Sequence, residues 1–327
     1  MKNNQKPIVS VVVITYNQDG TIRKTLDSIF SQCCNFPFEV VVGDDCSNDN
    51  TQYILKEYKN NYPEKFRYFV NEENLGLVAN YYKTIHNCFG KYISQCAGDD
   101  YWIDDFRLQK QVDFLENNPD YGLVHGDVHH FYERTGKVLY AYNKTNNIKI
   151  PEGDIFENLL LPSHIIKAMT VCMRRNLVLD HYISNKISEK NWLLEDLPLW
   201  LEVSQKTKIH YIDDVFAMYR LSDDSVSRSQ DPVKRYQFHI SVFEVRKYFI
   251  DKYGCSERTK KAVAIQYNKT MLADGFALSD FSITKAAISN LKTTGAGLTI
   301  VDRIYYIGSM NSILQKTIRK ILSLIRC

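Results

Sequence analysis

The sequence predicts an α/β protein built on a mainly parallel sheet, with helices on its faces and a helical C-terminal region. Strand-like and helix-like patterns alternate four times in the first hundred residues, the apolar strand runs are continuous, and the connections are short. Continuous β-branched runs mark strands buried on both faces, and βαβ alternation through short links makes neighbouring strands parallel. With 44% hydrophobic and 13% aromatic residues in 327, the chain can build a sizeable core, which excludes a disordered or low-complexity protein.

Val9 to Ile14 reads as the first strand, broken at Asp19 or Gly20; Ile22, Leu26, Ile29 and Phe30 follow at helical spacing. Phe38 to Gly43 is the second strand and runs into Asp44 and Asp45. Ser47, Asn48 or Asp49 can cap the next helix, which carries Tyr53, Ile54 and Tyr58. Phe66 to Val70 is the third strand; Leu77, Tyr81, Ile85 and Cys88 mark the third helix, with Gly90 as its stop. Tyr92 to Ala97 is the fourth strand and closes on Gly98, Asp99 and Asp100. After a helix carrying Leu108, Val112 and Leu115 the pattern mixes. Tyr121 to Tyr132 and Lys137 to Tyr142 read as strands about a Thr135-Gly136 turn, and Lys167 to Arg174 as a further strand. Leu194 to Val203 is helical, Lys208 to Tyr219 extended. From Asp231 the chain reads as helices with a break around Thr293 to Gly297, so a boundary falls near Ser229.

Lys+Arg 41 against Asp+Glu 38 leaves +3, too balanced for a chain that neutralises phosphates, and no nucleic-acid partner is expected. No apolar run approaches the roughly 20 residues of a bilayer span. Met1 to Pro7 is polar and leads straight into a strand, so no secretory signal is expected. Eight cysteines, with Cys33 and Cys34 adjacent, form neither a disulfide framework nor paired zinc spacing, and a reducing cytosol is the simple reading. No cysteine has a histidine at a spacing that suggests a nucleophile, and no Gly-rich phosphate loop of the GxxxxGK[ST] type is present.

In parallel sheets ligands bind outside the carboxyl ends of the strands. Asn17, Asp44–Asp45 and Asp99–Asp100 stand at such ends and converge on one rim. Adjacent carboxylates repel, and they persist where a cation or hydrogen-bond donors stabilise them. Hard oxygen ligands suit Mg²⁺ or Mn²⁺; the same acids also suit helix caps or the start of a loop. His125, Asp127 and His129 share one face of a strand, as a transition-metal set or as half-exposed surface beside the site. His164 and His181 have no recognisable partners.

VSVVVITYN (9–17), GDDCSNDNT (43–51), NLG (74–76), GKYISQCAGDDYW (90–102) and LQKQVDFLENNP (108–119) occur in this order. Together they resemble the family 2 inverting glycosyltransferases, over roughly residues 8–228. The resemblance implies a GT-A fold, a Rossmann-like, mainly parallel sheet flanked by helices. The catalytic domain would be 1–229, with a nucleotide-sugar half about 1–120 and an acceptor half about 121–229; residues 230–327 would be a helical appendage. It also implies transfer of a sugar from a nucleotide-diphosphate donor, UDP-sugar favoured, to an acceptor hydroxyl with inversion. The setting implied is bacterial surface polysaccharide or lipopolysaccharide assembly on a glycan or lipid-linked acceptor, in the cytoplasm or at the inner face of the cell membrane.

Carried over residue by residue, Thr15, Tyr16 and Asn17 line the nucleotide pocket and Asp45 accepts from a uracil-type base. Asp99 contacts the ribose, and Asp100 ligates the Mg²⁺ or Mn²⁺ that bridges the diphosphate. Asp127 touches the donor sugar, and Arg220 the diphosphate, with Arg228, Ser225 and Ser227 nearby. Asp196 in NWLLEDLPLW (191–200) matches the Glu-Asp motif at a helix head and is the base, with Glu195 the alternate. Two departures stand out. Where many relatives read Tyr-Arg-x-His, this chain reads Tyr219-Arg220-Leu221-Ser222, and the frequent Arg after the Asn-x-Gly loop is absent, with Tyr81 near its place. The missing His keeps a catalytically silent sugar-nucleotide or glycan-binding subunit as the alternative. A sugar nucleotidyltransferase is disfavoured, because Ile14 to Thr21 holds only Gly20 and no Lys or Arg.

After Asp302 no acidic residue occurs. Leu314, Ile318, Ile321, Leu322 and Ile325 form an apolar stripe among Lys316, Arg319, Lys320 and Arg326. Such a helix lies on an anionic membrane surface or packs on its own domain.

Overall fold

A computed structural model describes residues 6–161, 166–222, 229–311 and 314–318. Strand β1 (Val9–Thr15) is buried along almost its whole length, as its unbroken apolar run requires. It pairs in parallel with β2 (Phe38–Asp44) on one side and β4 (Tyr92–Ala97) on the other, and β2 pairs in parallel with β3 (Phe66–Val70). The crossovers are α1 (Ile22–Phe30), α2 (Thr51–Asn61) and α3 (Leu77–His86). Ile22, Leu26 and Ile29 of α1 and Ile54, Leu55 and Tyr58 of α2 close the core over Val9, Val11, Val13, Val40 and Val42. The strands therefore all deliver their carboxyl ends to one edge.

Beyond β5 (Tyr101–Trp102) and α4 (Arg107–Asn117) the sheet becomes mixed. Its order is β3-β2-β1-β4-β8-β6-β9-β5, where β6 is Tyr121–Tyr132, β8 is Cys172–Arg174 and β9 is Lys208–Leu221; β7 (Lys137–Leu139) pairs off β6. β8 runs antiparallel to both β4 and β6, while β6 and β9 are parallel. Behind this junction the guanidinium of Arg107 is fully buried. It donates to the carbonyls of Met169 and Val171, to Ser94 Oγ and to Gln111 Oε1, and it lies 3.8 Å from the centre of the Trp102 ring. Burial lowers its pKa only to about 10, so it stays charged at neutral pH and ties α4, β4, β5 and the approach to β8 together.

The expected strand from Lys167 is shorter than its apolar run. Ala168–Thr170 is a 3-10 turn, and only Cys172–Arg174 is extended. The strand expected to reach Tyr142 ends at Leu139, because Ala141 adopts φ 43 and the chain turns into the short helix α5 (Tyr142–Thr145). The helix expected from Leu194 begins at Asp196 and continues as α8 (Asp196–Lys206), following α6 (Phe156–Leu160) and α7 (Arg175–Ser184).

A separate compact unit holds α9 (Pro232–Tyr253), α10 (Glu257–Leu278), α11 (Phe281–Thr293) and α12 (Ile300–Ser309). Asp231, Ser256, Asp280 and Thr299 cap these helices with their side chains, Thr299 as a capping box with Asp302. Met271, Leu272, Ala287, Ile288 and Leu291 form its core. Gln315 packs inward, donating to the Phe276 carbonyl and accepting from Ser279 Oγ. Arg319, Lys320, Ile321, Leu322, Ile325 and Arg326 of the expected basic stripe lie outside the described residues. Among the described residues no helix is long and apolar enough to cross a membrane.

Candidate active site

At the end of β1 the chain must leave the sheet at once, and Asn17 does so with φ 52, a left-handed conformation that Asn tolerates better than most residues. The turn is clamped to the segment after β2. The Asn17 amide donates to Ser47 Oγ at 2.8 Å, its Oδ1 accepts from the Asn48 amide at 2.8 Å, and the Gln18 amide donates to Thr51 Oγ1 at 3.0 Å. Thr15 is buried, whereas Tyr16 is 45% exposed and presents its ring at the rim.

The two acids closing β2 are engaged by the protein itself. Asp44 is buried and accepts from the Ser47 amide and hydroxyl; burial nonetheless raises its carboxyl above the ordinary range. Asp45 Oδ1 accepts from the Leu75 amide at 2.8 Å and Asn71 Nδ2 at 2.9 Å, and its Oδ2 accepts from the Gly76 amide at 2.9 Å. These bonds seat the Asn74-Leu75-Gly76 loop, whose glycine takes φ 82 and opens α3. In this structure Asp45, expected to meet a base, is the anchor of that loop.

The end of β4 is arranged differently. The carbonyl of Gly98 accepts from Thr21 Oγ1 at 2.8 Å, and the Thr25 hydroxyl lies within reach of the Gly98 and Asp100 carbonyls at 3.0 and 2.6 Å. A Cβ on Gly98 would stand 2.3 Å from Gln18 Oε1 and 3.0 Å from Thr15 Oγ1, so any larger residue would require the Gln18 side chain to move. Both of those atoms are buried without a hydrogen-bond partner among the described residues. Asp100 is 3% exposed, and its Oδ1 accepts from the Arg220 amide at 2.8 Å. The Arg220 side chain donates through Nε to the Asp99 carbonyl at 3.1 Å and pairs with Glu133 at 3.0 Å, stapling the end of β9 to the end of β4.

Burial pushes both Asp99 and Asp100 upward, and in Asp100 the neighbouring Asp99 charge adds to it. Two adjacent acids with so few donors are an electrostatic cost that a divalent cation would offset, and their oxygens are the ligands Mg²⁺ or Mn²⁺ prefers. Among the described residues no three His, Cys, Asp or Glu side chains gather to hold a metal, so this pair would need substrate oxygens and water to complete a coordination shell.

His125, Asp127 and His129 do not form the metal set that their alternation allows. His125 is wholly buried, and desolvation pushes its pKa down to about 3. His129 Nδ1 accepts from the Ala141 amide at 2.9 Å. Asp127 is 1% exposed and accepts from the amides of Val128, Asn143 and Lys144, holding the start of α5. Asp127, expected to touch a donor sugar, here holds the start of α5 through these bonds.

Glu195 and Asp196 stand at the head of α8, where Asp196 Oδ1 accepts from the Leu197 amide at 2.6 Å. Desolvation raises both carboxyls, Glu195 the more because the Asp196 charge adds to it, whereas Lys167 favours the ionised form of Asp196. Lys167 also lies close to β9. Its ammonium lies 5.6 Å from the Tyr219 ring centre, and Tyr219 immediately precedes Arg220, whose amide holds Asp100. Tyr81, near the place of the absent Arg, donates to Gln95 Oε1 on β4 at 2.5 Å. The structure gathers Thr15, Tyr16, Asn17, Asp99, Asp100 and Arg220 at one edge, while Asp196 stands at the head of α8 under the influence of Lys167. Sequence reasoning missed Gln18 and Lys167; Gln18 adjoins the Thr15–Asn17 turn, but no pattern distinguishes Lys167. Arg228, Ser225, Ser227 and His164 lie outside the described residues.

Residues 10–178 match the family model described as Glycosyl transferase family 2. The chain is 26% identical over 225 residues to the Escherichia coli UDP-Glc:alpha-D-GlcNAc-diphosphoundecaprenol beta-1,3-glucosyltransferase WfgD, covering 68% of this chain and 81% of that protein. It is 39% identical over 129 residues to an uncharacterized protein of Mycobacterium tuberculosis, and there it spans 37% of the relative's length. Among solved structures, S. aureus TarS in complex with UDP-GlcNAc superposes with TM-score 0.62 at 18% identity, covering 95% of this chain and 91% of that one. The mannosyltransferase PcManGT of Pyrobaculum calidifontis, in complex with GDP-Man and Mn²⁺, gives TM-score 0.58 at 17% identity over 96% and 87% of the two chains. The fold is the GT-A arrangement of these enzymes.

Proposed function

The chain belongs to glycosyl transferase family 2, and we propose that it transfers a sugar from a nucleotide-diphosphate donor to an acceptor hydroxyl with inversion. The observation that carries this reading is the junction of β4 and β9, where Arg220 holds the buried Asp100 and the half-buried Asp99 beside the β1 turn. Tyr16 offers an exposed ring on which a base can stack, and Thr15 and Asn17 complete that wall. Asp99 reaches the ribose; Asp100, with Asp99 beside it, holds Mg²⁺ or Mn²⁺. A cation so bound would neutralise charge developing on the departing diphosphate. Arg220 adds a fixed positive charge at the same end. Asp196 takes the proton of the acceptor hydroxyl as that oxygen attacks the anomeric carbon from the face opposite the leaving group, which inverts the centre. Catalysis is assigned to residues 1–229, and 230–327 is the appendage.

UDP-sugars are the favoured donors and a glycan or lipid-linked molecule the acceptor, in bacterial surface-polysaccharide assembly at the cytoplasmic face of the membrane. WfgD, whose name specifies a diphosphoundecaprenol-linked acceptor, supports that setting. So does α12, which exposes Ile300, Ile307 and Met310 with Arg303 in a stretch that carries no acid after Asp302. Peripheral contact with anionic lipid follows, and Met310→Glu should reduce co-sedimentation with phosphatidylglycerol vesicles.

A panel of UDP- and GDP-sugars, scored for nucleoside diphosphate release with and without Mn²⁺, tests the reading. Metal-stimulated release from at least one donor is expected. Binding of a donor with no release under any condition would favour instead the silent binding subunit, for which Ser222 in place of His is the supporting observation.

A further inference from the structure

Tyr140 follows β7 directly and is 64% exposed. A lone exposed aromatic is ordinary in any protein, but this one is held rigidly. Its carbonyl accepts from Thr145 Oγ1 at 2.6 Å, and the next amide, that of Ala141, donates to His129 Nδ1 at 2.9 Å. The Ala141 carbonyl accepts from the Thr145 amide at 2.8 Å. Ala141 itself takes φ 43, a left-handed conformation that a residue with a Cβ adopts only at a cost. The His129 ring backs the Tyr140 ring edge-on, with centroids 4.9 Å apart. The bond from Ala141 needs a neutral imidazole, and burial favours that form. Local strain and three hydrogen bonds thus serve to fix a ring that faces solvent.

The strand register ties this ring to the rim. His129 and Phe131 are two residues apart on β6, so they share one face of the sheet at a spacing of about 7 Å. Phe131 pairs with Arg220 of β9, and the guanidinium lies 5.4 Å from the Phe131 ring centre. The Arg220 amide in turn holds Asp100 at 2.8 Å. One face therefore carries Arg220, Phe131, His129 and Tyr140 in line, with the Tyr140 ring roughly 10–15 Å from the guanidinium. That gap is the room a donor sugar and the acceptor sugar beside it occupy.

We propose that Tyr140 is the platform for the acceptor: a pyranose ring of the acceptor glycan stacks on it, and the donor sugar fills the space toward Arg220. This rests on the reading of Arg220 as the residue beside the donor diphosphate. A pyranose presents a flat C–H face edged by hydroxyls. A fixed aromatic ring meets the face at little entropic cost, and Lys144 and Asn147, both exposed just beyond Tyr140, offer donors to the hydroxyls. Tyr140 is then a specificity-determining residue for the acceptor, separate from Tyr16 on the nucleotide side.

The experiment uses the full-length protein saturated with Mn²⁺ and UDP or GDP, which fills the nucleotide site. It is titrated with the methyl β-glycopyranosides of glucose, galactose, mannose and N-acetylglucosamine and followed by saturation-transfer NMR. At least one glycoside should bind, with transfer concentrated on the C–H protons of one ring face. Tyr140→Ala should weaken that binding about tenfold with nucleotide affinity and thermal midpoint unchanged, while Tyr140→Trp should keep or tighten it. The Trp variant should also gain a fluorescence response to the sugar that wild type lacks, and it decides alone if the alanine variant does not fold. Wild-type protein that binds no glycoside, an alanine variant that binds as well as wild type, or a silent indole overturns the proposal. Failure of both nucleotides to bind refutes instead the nucleotide-sugar reading on which it rests.

Discussion

The ends of β2 and β4 are nearly alike as sequence, an apolar strand running into a pair of aspartates, and they are built for opposite purposes. At β2, Asp45 receives the Leu75 and Gly76 amides and the Asn71 side chain, so its charge holds a loop that the protein needs for its own shape. At β4, Asp100 is as deeply buried, yet among the described residues the Arg220 amide is the donor that reaches its carboxylate. A buried acid surrounded by donors stabilises the fold. One left short of them costs stability, and on the proposed reading a divalent cation at Asp100 would offset that cost.

The contrast can be broken or sharpened by substitution. Asp196→Asn, in the third acid cluster, should have the largest effect: turnover falls about 10³-fold with donor binding and thermal midpoint unchanged, as expected for loss of a general base. Unchanged kcat would remove it from the mechanism. Asp45→Ala should act on the fold instead, costing about 2–3 kcal/mol because it strands buried donors, readable by urea denaturation. A variant as stable as wild type would erase the distinction between the two strand ends.

Asp100→Asn should do the reverse. It keeps Oδ1 as acceptor for the Arg220 amide but deletes a buried charge, so the metal-free protein gains about 1 kcal/mol and loses its thermal response to Mn²⁺. A destabilised variant that still responds to Mn²⁺ would contradict the assignment. The smallest effect expected is on pH dependence. Asp99 and Asp100 are raised in the fold, so the native state binds protons that the unfolded chain has released. Their contribution to stability is therefore best below about pH 4 and declines as pH climbs toward the raised native values. Mn²⁺ should consequently lift the melting temperature more at about pH 7.5 than at about pH 5, and an equal lift at both would count against these acids as ligands.

Legibility followed burial. β1, β2 and β4 could be read because both faces of each strand lie in the core and their residues are apolar without interruption. The 3-10 turn at Ala168–Thr170 and the helix at Tyr142–Thr145 could not, since a buried arginine and a buried aspartate far away in sequence shape them. The same holds at the site. The acid pairs announced themselves, but nothing in the order of residues distinguishes Asp45, which meets two loop amides and an Asn side chain, from Asp100, which meets the Arg220 amide. The α5 amides that Asp127 receives were hidden in the same way.

Gly98 has a consequence for anyone who would retool this enzyme. With Gln18 Oε1 only 2.3 Å from where a side chain would begin, a substitution at position 98 must displace the Gln18 side chain, so the two positions are best varied together. Tyr16 and Gln18, across the slot, carry the adjustable side chains. Altered donor preference, whether reached by natural drift or by selection in the laboratory, should accumulate on their side.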